Sequence, residues 1–306
     1  MSGSRCKIRF SPGHEIRGRW DGNLYIIERE LGSGGTASVF LVRNAEDGRV
    51  LAMKISRELS GITGEHRTLL FLNQQSEIKN LGILPQVYEL DDYCEEGNTY
   101  HYIIMEYRNG EALQNIKGRL SAKEIGAVGM MLAIFLHYLH GAGYVFGDLK
   151  PGNILYDFVT RKLTVVDFGS VCPKGRNIQQ YTPLYDRQNW QAGSRRGDEK
   201  YDLFALSMLL LSLHSGVNKA LKCRNLTQLL AALTSSSAGN CLLPVIIRGL
   251  RQEYSLSGEM AVELWRSRNN SSQGSPARRR TLDRAVNVAG AVSAVFFILS
   301  ILFYYQ

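Results

Sequence analysis

The chain has little with which to cross-link itself or hold a structural metal. Its five cysteines (Cys6, Cys94, Cys172, Cys223 and Cys241) are odd in number, widely spaced and without a C-x-x-C pair, which excludes a disulfide framework and a zinc ribbon and fits a reducing cytosol. The first 20 residues lack an apolar run and carry Arg5, Lys7, Arg9, Arg17 and Arg19 instead, so no secretory signal is expected. Acidic residues are outnumbered, 28 Asp and Glu against 36 Lys and Arg, a formal charge of +8. That balance calls for an anionic partner without saying whether it is nucleic acid, lipid or a phosphate ligand. What is present is a core: 306 residues with 44% hydrophobic content suffice for about two average domains or one large one, and exclude a disordered tail or a small stapled scaffold.

From Val288 to Tyr305 the sequence runs 18 residues without a charge, close to the ~20 that cross a bilayer core as a helix. A buried C-terminal core helix is the alternative. Arg278, Arg279, Arg280 and Arg284 precede the run and only Gln306 follows it, so the positive-inside rule places everything before residue 284 in the cytoplasm, with no external receptor domain. Asn269 to Pro276 has the composition of a linker. Arg266 to Arg284 holds six Arg and one Asp, which is +5 of the +8. This basic stretch reads as a topology signal drawn to anionic lipid, or as a DNA or RNA contact through Arg266, Arg268, Arg278, Arg279, Arg280 and Arg284. Lys219, Lys222, Arg224, Arg195 and Arg196 extend such a patch unless they are solvated surface.

In the body of the chain, strand-like Tyr25–Leu31 leads into Gly32-Ser33-Gly34-Gly35-Thr36-Ala37-Ser38-Val39. A Gly-rich turn between strands presents backbone N–H groups to a polyphosphate, although a hairpin without a ligand has the same look. A dinucleotide loop would continue into a helix instead. The apolar strand Val50–Lys54 follows, and eleven residues after Lys54 comes Glu65, ahead of a helically spaced apolar run and suited to hold the ammonium. Ile125, Val128, Leu132, Phe135, Leu136 and Leu139 then recur at helical spacing up to Gly141 and Gly143. Beyond them, Asp148, Lys150 and Asn153 put a proton acceptor, a phosphate cation and a metal ligand on one loop, and Asp167-Phe168-Gly169 adds a second carboxylate suited to Mg²⁺. His137 and His140 have no third ligand nearby and read as ordinary packing, and Cys172 as a structural thiol.

These elements, in this order, resemble the eukaryotic-like (Hanks-type) serine/threonine protein kinases of bacteria over about residues 21–266. The resemblance implies an α+β, bilobal protein-kinase fold: an N-lobe β-sheet plus the αC helix over about 21–107, and a mainly helical C-lobe over about 108–266. A basic N-terminal extension (1–20) would precede it, and a basic polar linker (267–284) and a single transmembrane anchor (285–306) would follow. It also implies ATP and Mg²⁺, with Mn²⁺ as a substitute. Gly32, Gly34 and Val39 match the phosphate-covering loop, Ala52 and Lys54 the V-A-I-K strand, and Glu65 the αC carboxylate. Met105 is the gatekeeper, the backbone of Glu106 and Arg108 faces adenine, and Leu155 completes that site. Asp148 and Lys150 take the catalytic positions, Asn153 and Asp167 the metal positions, and Asp202 holds the catalytic loop from below. Tyr181-Thr182-Pro183-Leu184-Tyr185 resembles the substrate-side end of the activation segment. By layout the chain resembles the YabT-like kinases of spore-forming bacteria, which implies DNA as an activating partner. Proteins bearing Ser or Thr as substrates, and a second copy as a homodimer, complete the expected partners.

Four departures qualify the resemblance. The H-R-D triplet is Phe146-Gly147-Asp148, so no Arg clamps a phosphorylated activation loop, and the third loop glycine is Ala37. The A-P-E end of the activation segment falls at Arg187-Gln188-Asn189 and its late Arg partner at Ser257, so both halves of that ion pair are expected to be missing together. The spacing from Lys54 to Glu65 is short. A membrane-anchored pseudokinase and a small-molecule phosphotransferase of the aminoglycoside type are therefore the competing functions. The latter rests on Gly147-Asp148-Leu149 with Asn153.

Overall fold

The computed structural model describes residues 8–179, 181–214, 223, 225–235 and 241–270. Arg278, Arg279, Arg280, Arg284 and the apolar run to Tyr305, like Lys219, Lys222 and Arg224, lie outside the described residues. Six antiparallel strands form one sheet in the order β1-β2-β3-β4-β6-β5: β1 (Glu15–Arg17), β2 (Leu24–Ser33), β3 (Ala37–Asn44), β4 (Val50–Ser56), β5 (Val87–Glu95) and β6 (Asn98–Glu106). Side chains alternate across a strand. β4 thus sends Leu51, Met53 and Ile55 into an apolar cluster with Ile27, Phe40 and Tyr102, and turns Ala52 and Lys54 to the other face. β6 divides likewise: Ile104 joins that cluster, while Ile103 and Met105 pack with Ile62, Leu69 and Leu72 of helix α1 (Leu59–Gln74). Lys54 stands opposite Ile103 in the β4–β6 register, so alternation alone aims its ammonium toward α1.

Residues 8–20 belong to this lobe and are not an extension ahead of it. Ile8 and Ile16 are buried in the cluster with Phe40 and Tyr102, β1 pairs with β2, and the Ser38 hydroxyl donates to the Ile8 carbonyl at 3.0 Å. The arginines that gave the segment its basic look, Arg9, Arg17 and Arg19, are exposed, while the apolar residues between them fill the core. The Trp20 and Asp21 N–H groups then donate to the Asp91 carboxylate, both at 3.0 Å, tying the end of β1 to β5. A Cβ at Gly18 would lie 2.3 Å from that carboxylate, which requires glycine there.

The second lobe is helical. After the short helix α2 (Ser76–Asn80), β5 and β6, helix α3 (Ala122–Gly141) starts at a capping box: the Glu124 N–H donates to the Ser121 hydroxyl at 3.3 Å and the Ser121 N–H to the Glu124 carboxylate at 2.9 Å. Its apolar stripe Ile125, Val128, Leu132, Phe135, Leu136 and Leu139 is buried, as its spacing predicts. Among the described helices only α3 is long and apolar enough to cross a membrane, and that stripe is committed to the core. Helix α4 (Glu199–Leu213) is buried at every residue from Tyr201 on, as befits a helix apolar all round. The two approach closely because Gly129 has no Cβ, which would otherwise meet Leu210 at 2.8 Å. Each Leu or Phe so buried contributes about 2–3 kcal/mol, and the seam becomes a rigid platform for the loops above it. Helices α5 (Leu226–Ser235), α6 (Leu243–Leu250) and α7 (Ser257–Asn270) complete the lobe. The hairpin of β9 (Ile154–Tyr156) and β10 (Leu163–Val165), joined by β7 (Glu111–Ala112), lies beside the pair β8 (Tyr144–Val145) and β11 (Cys172–Pro173) in sequence order.

Candidate active site

Three charged side chains distant in sequence converge where the sheet meets the second lobe. Lys54 Nζ donates to Glu65 Oε2 at 2.5 Å and to Asp167 Oδ1 at 3.1 Å. The Phe168 N–H donates to Glu65 Oε1 at 3.3 Å and the Gly169 N–H to Asp167 Oδ1 at 3.2 Å. Glu65 is thus within reach despite its short spacing from Lys54, because α1 begins only three residues after β4 ends. Burial by itself pushes the Lys54 ammonium down, but the Glu65 and Asp167 carboxylates outweigh it and hold Lys54 above its ordinary value. Burial also pushes Asp167 up, and there Lys54 and the Gly169 N–H win and keep it below the usual carboxylate range. At Glu65, 2% exposed, burial prevails and the carboxyl sits above that range.

The loop from Tyr144 to Asn153 carries the second group. Lys150 Nζ bonds Asp148 Oδ2, the Thr182 hydroxyl donates to Asp148 Oδ1 at 3.0 Å, and Asn153 Nδ2 donates to the Asp148 carbonyl at 3.1 Å. Both carboxylate oxygens of Asp148 are therefore gripped and its plane is fixed. From beneath, fully buried Asp202 accepts the N–H groups of Phe146 at 2.7 Å and Gly147 at 3.0 Å. The support uses backbone donors, so the side chain at 146 is free to pack: its ring meets Phe135 and Phe168 edge-on, each at 6.0 Å. Gly147 has φ +85° and a Cβ there would stand 2.8 Å from the Ser170 carbonyl, which explains a glycine where the family pattern has arginine.

Two links were not legible in the sequence. His140 is not merely packed: its Nε2 lies 2.9 Å from Asp202 Oδ2 and its Nδ1 2.8 Å from the Ser257 hydroxyl, so a buried chain joins α7, α3 and α4 to the catalytic loop. The available signal was a histidine one position past Leu139 at the buried end of α3, where a polar group needs partners. The second link is an ion pair at the position where A-P-E would fall. Arg187, 4% exposed, takes Asp198 with both terminal nitrogens at 2.8 Å, and further donates to the Ser194 carbonyl at 2.7 Å and to Gln252 Oε1 at 3.1 Å. Beside it, fully buried Asp186 pairs with Arg195 at 2.8 Å. The late position expected to face this region was Ser257, but Gln252 is the residue from that loop which arrives. Pairing of Arg195 also removes it from the set of solvated basic residues.

The remaining candidates line the space between the lobes. Gly32 and Gly35 have nothing within 4 Å of a built Cβ, and the hairpin closes through the Gly34 N–H on the Ala37 carbonyl at 2.8 Å. Val39 stands opposite both Gly32 and Lys54, and Ala52 opposite Met105. The Glu106 N–H is committed to the Gln86 carbonyl at 2.7 Å, and the Arg108 guanidinium to the Leu84 carbonyl at 3.3 Å. Leu155 sits in β9 opposite Ala112 and Thr164. Among the described residues, one cluster of carboxylates, Asp21, Glu89 and Asp91, has the spacing of a metal site. Its oxygens already take Asn23, Tyr25 and Tyr102 on Glu89, and the Trp20, Asp21 and Asp92 N–H groups on Asp91, so it is a structural knot.

Against known families, the protein kinase domain matches residues 25–234. The chain is 32% identical over 266 residues to the serine/threonine-protein kinase YabT of Bacillus subtilis (strain 168), covering 85% of this chain and 75% of that one. It is 29% identical over 195 residues to an Aurora kinase of Eremothecium gossypii, covering 62% of this chain and 52% of that one. Among solved structures, vaccinia related kinase 3 superposes with a TM-score of 0.65 at 11% identity, over 87% of this chain and 93% of that one, a likeness of fold.

Proposed function

Since the chain belongs to the protein kinase family and is a serine/threonine protein kinase, we propose that it uses ATP and Mg²⁺ at the Lys54–Asp148–Asp167 site and works tethered to the cytoplasmic face of a membrane by residues 285–306. The observation that carries the catalytic part is the closed network in which Lys54 bonds both Glu65 and Asp167 while Lys150 and Thr182 grip Asp148. The donor set fits a divalent ion. Asn153 commits its amide nitrogen to the Asp148 carbonyl and keeps its oxygen, and Asp167 keeps Oδ2 outside the Lys54 and Gly169 bonds. Hard oxygen donors of this kind suit Mg²⁺, which when bound supplies neutralising charge for the phosphates.

The chain's own residues do the rest by position. Lys54, kept protonated by two carboxylates, anchors the nucleotide phosphates. Asp148 accepts the proton of a substrate Ser or Thr hydroxyl as that oxygen bonds to the γ-phosphorus and the bond to ADP breaks. Lys150, beside it, offsets charge on the transferring group. The basic run before the apolar tail, with Arg278, Arg279 and Arg280, binds duplex DNA in this reading, which stimulates transfer; six Arg against one Asp from Arg266 to Arg284 support it.

The test is phosphate incorporation by the full chain in detergent micelles, with Mg-ATP and a basic protein acceptor, with and without duplex DNA. Phosphoserine or phosphothreonine that disappears on chelation and in Asp167→Asn, with DNA stimulation lost when Arg278, Arg279 and Arg280 become Ser, is the expected result. Transfer that survives Asp167→Asn overturns the site, and stimulation that survives the arginine changes overturns the role of the tail.

A further inference from the structure

Four elements enclose an open cavity of about 790 Å³: the turn after α2, the first half of α3, the β9–β10 turn and the last turn of α7. It shares no lining residue with the Lys54–Asp148–Asp167 site. Its floor is apolar, built from Leu81, Ile83, Val128, Met131 and Leu163. Four cations line it, Lys123, Arg161, Lys162 and Arg268, against one carboxylate, Glu124. That carboxylate is occupied, accepting the Ser121 N–H at 2.9 Å and hydroxyl at 2.7 Å. No carboxylate among the described residues forms an ion pair with Lys123, Arg161 or Lys162. At the rim, the β9–β10 turn holds Val159 89% exposed and Phe158 38% exposed, the latter under the Arg119 guanidinium at 4.6 Å.

Like charges gathered from three separate elements repel one another, and they do so around an apolar floor in which Leu81 and Met131 remain partly exposed. One ligand chemistry relieves both. A nucleic-acid backbone would meet the cations but leave the apolar floor uncovered, and a small inorganic anion would leave most of the volume empty. A peptide segment that alternates carboxylates with large apolar side chains seats the latter on the floor and the former at Lys123, Arg161 and Lys162. We propose that this cavity is a docking site for an acidic, apolar segment of a protein partner, separate from the acceptor residue that is phosphorylated. The proposal rests on the kinase reading only in taking protein as the substrate class. A route inward exists, because the Ile83 carbonyl in the floor accepts the Val165 N–H at 2.9 Å, two residues before Asp167.

The experiment uses the full chain in detergent micelles and a fluorescent peptide of alternating Glu or Asp with Leu or Phe. Its companions are the same peptide with Gln and Asn for the acids, and with Ser for the apolar residues. Binding of the first, with roughly tenfold weaker binding of either companion and of the exposed-surface variant Lys123→Glu/Lys162→Glu, is expected. Fusing the acidic segment to a Ser-containing acceptor should lower its KM about tenfold in the native chain and not in the variant, with kcat on the unfused acceptor equal in both. That unfused rate separates failure of docking from failure of catalysis. Equal binding of the Gln and Asn peptide, or equal binding by the charge-reversed variant, overturns the proposal. So does displacement of the peptide by duplex DNA or phosphatidylserine vesicles that themselves lose affinity in the variant, since the cavity would then serve that class of ligand.

Discussion

The two clusters that frame the active site are built on opposite plans. At Lys54, Glu65 and Asp167 the charged side chains themselves meet, at 2.5 and 3.1 Å, so the identity of each residue is the structure. Beneath the Asp148 loop the support comes from backbone N–H groups. Asp202 holds N–H groups and not side chains, Phe146 and Gly147 fill positions that family members give to histidine and arginine, and Arg187 with Asp198 supplies the ion pair at the end of the activation segment. The difference teaches that one cluster is held by the charges of its own side chains, whereas the scaffolding beneath Asp148 needs only donors to Asp202, which the backbone supplies. The H-R-D arginine is replaced by glycine because any side chain at 147 would be strained in that backbone conformation.

The comparison can be broken first at its rigid end. Asp167→Asn should lower kcat about a thousandfold with the fold intact by thermal unfolding, as expected where charge is neutralised in the transition state. Next, Arg187→Met leaves Asp198 without its cation and should cost about 2–3 kcal/mol in urea unfolding, toward the lower end because Asp198 is partly exposed. The double variant Arg187→Met/Asp198→Asn should recover part of that loss. Restoring the family residue, Gly147→Arg, should destabilise by about 2 kcal/mol, since it forces a side chain into a left-handed conformation against the Ser170 carbonyl. A fully stable Gly147→Arg would show that the scaffold is not set by that backbone.

Smaller effects sharpen the picture. Ser257→Ala removes one partner of His140 and should cost about 1 kcal/mol and lower kcat a few-fold, with KM for ATP unchanged. Equal kcat would reduce the buried chain to packing. The smallest effect is in pH dependence. Asp167 is held below the usual carboxylate range, so its contribution to stability is present above that range and is lost as pH falls through the lowered value. Asp167→Asn should then flatten the acid limb of the unfolding midpoint against pH, with little change above neutrality.

Much of this was legible in sequence for a definite reason. The Gly-rich turn, the Lys54 strand, the Asp148 to Asn153 loop and the α3 stripe are local signals, written at fixed spacing by turn chemistry and by the periods of strand and helix. Residues 8–20 were misread because charge count hid the alternation of Ile8, Phe10 and Ile16. The Arg187–Asp198 pair escapes the sequence because its charges reverse those of the pattern and join within one loop.

By itself, then, the sequence determined the family motifs and their order, because strand alternation and loop spacing act over a few residues. The tertiary structure alone decided what holds them. The His140 chain draws on α3, α4 and α7, Arg187 gathers partners from Ser194 to Gln252, and the four cations of the docking cavity come from three elements far apart in the chain. Such contacts depend on long-range packing, which no period or spacing in one sequence records.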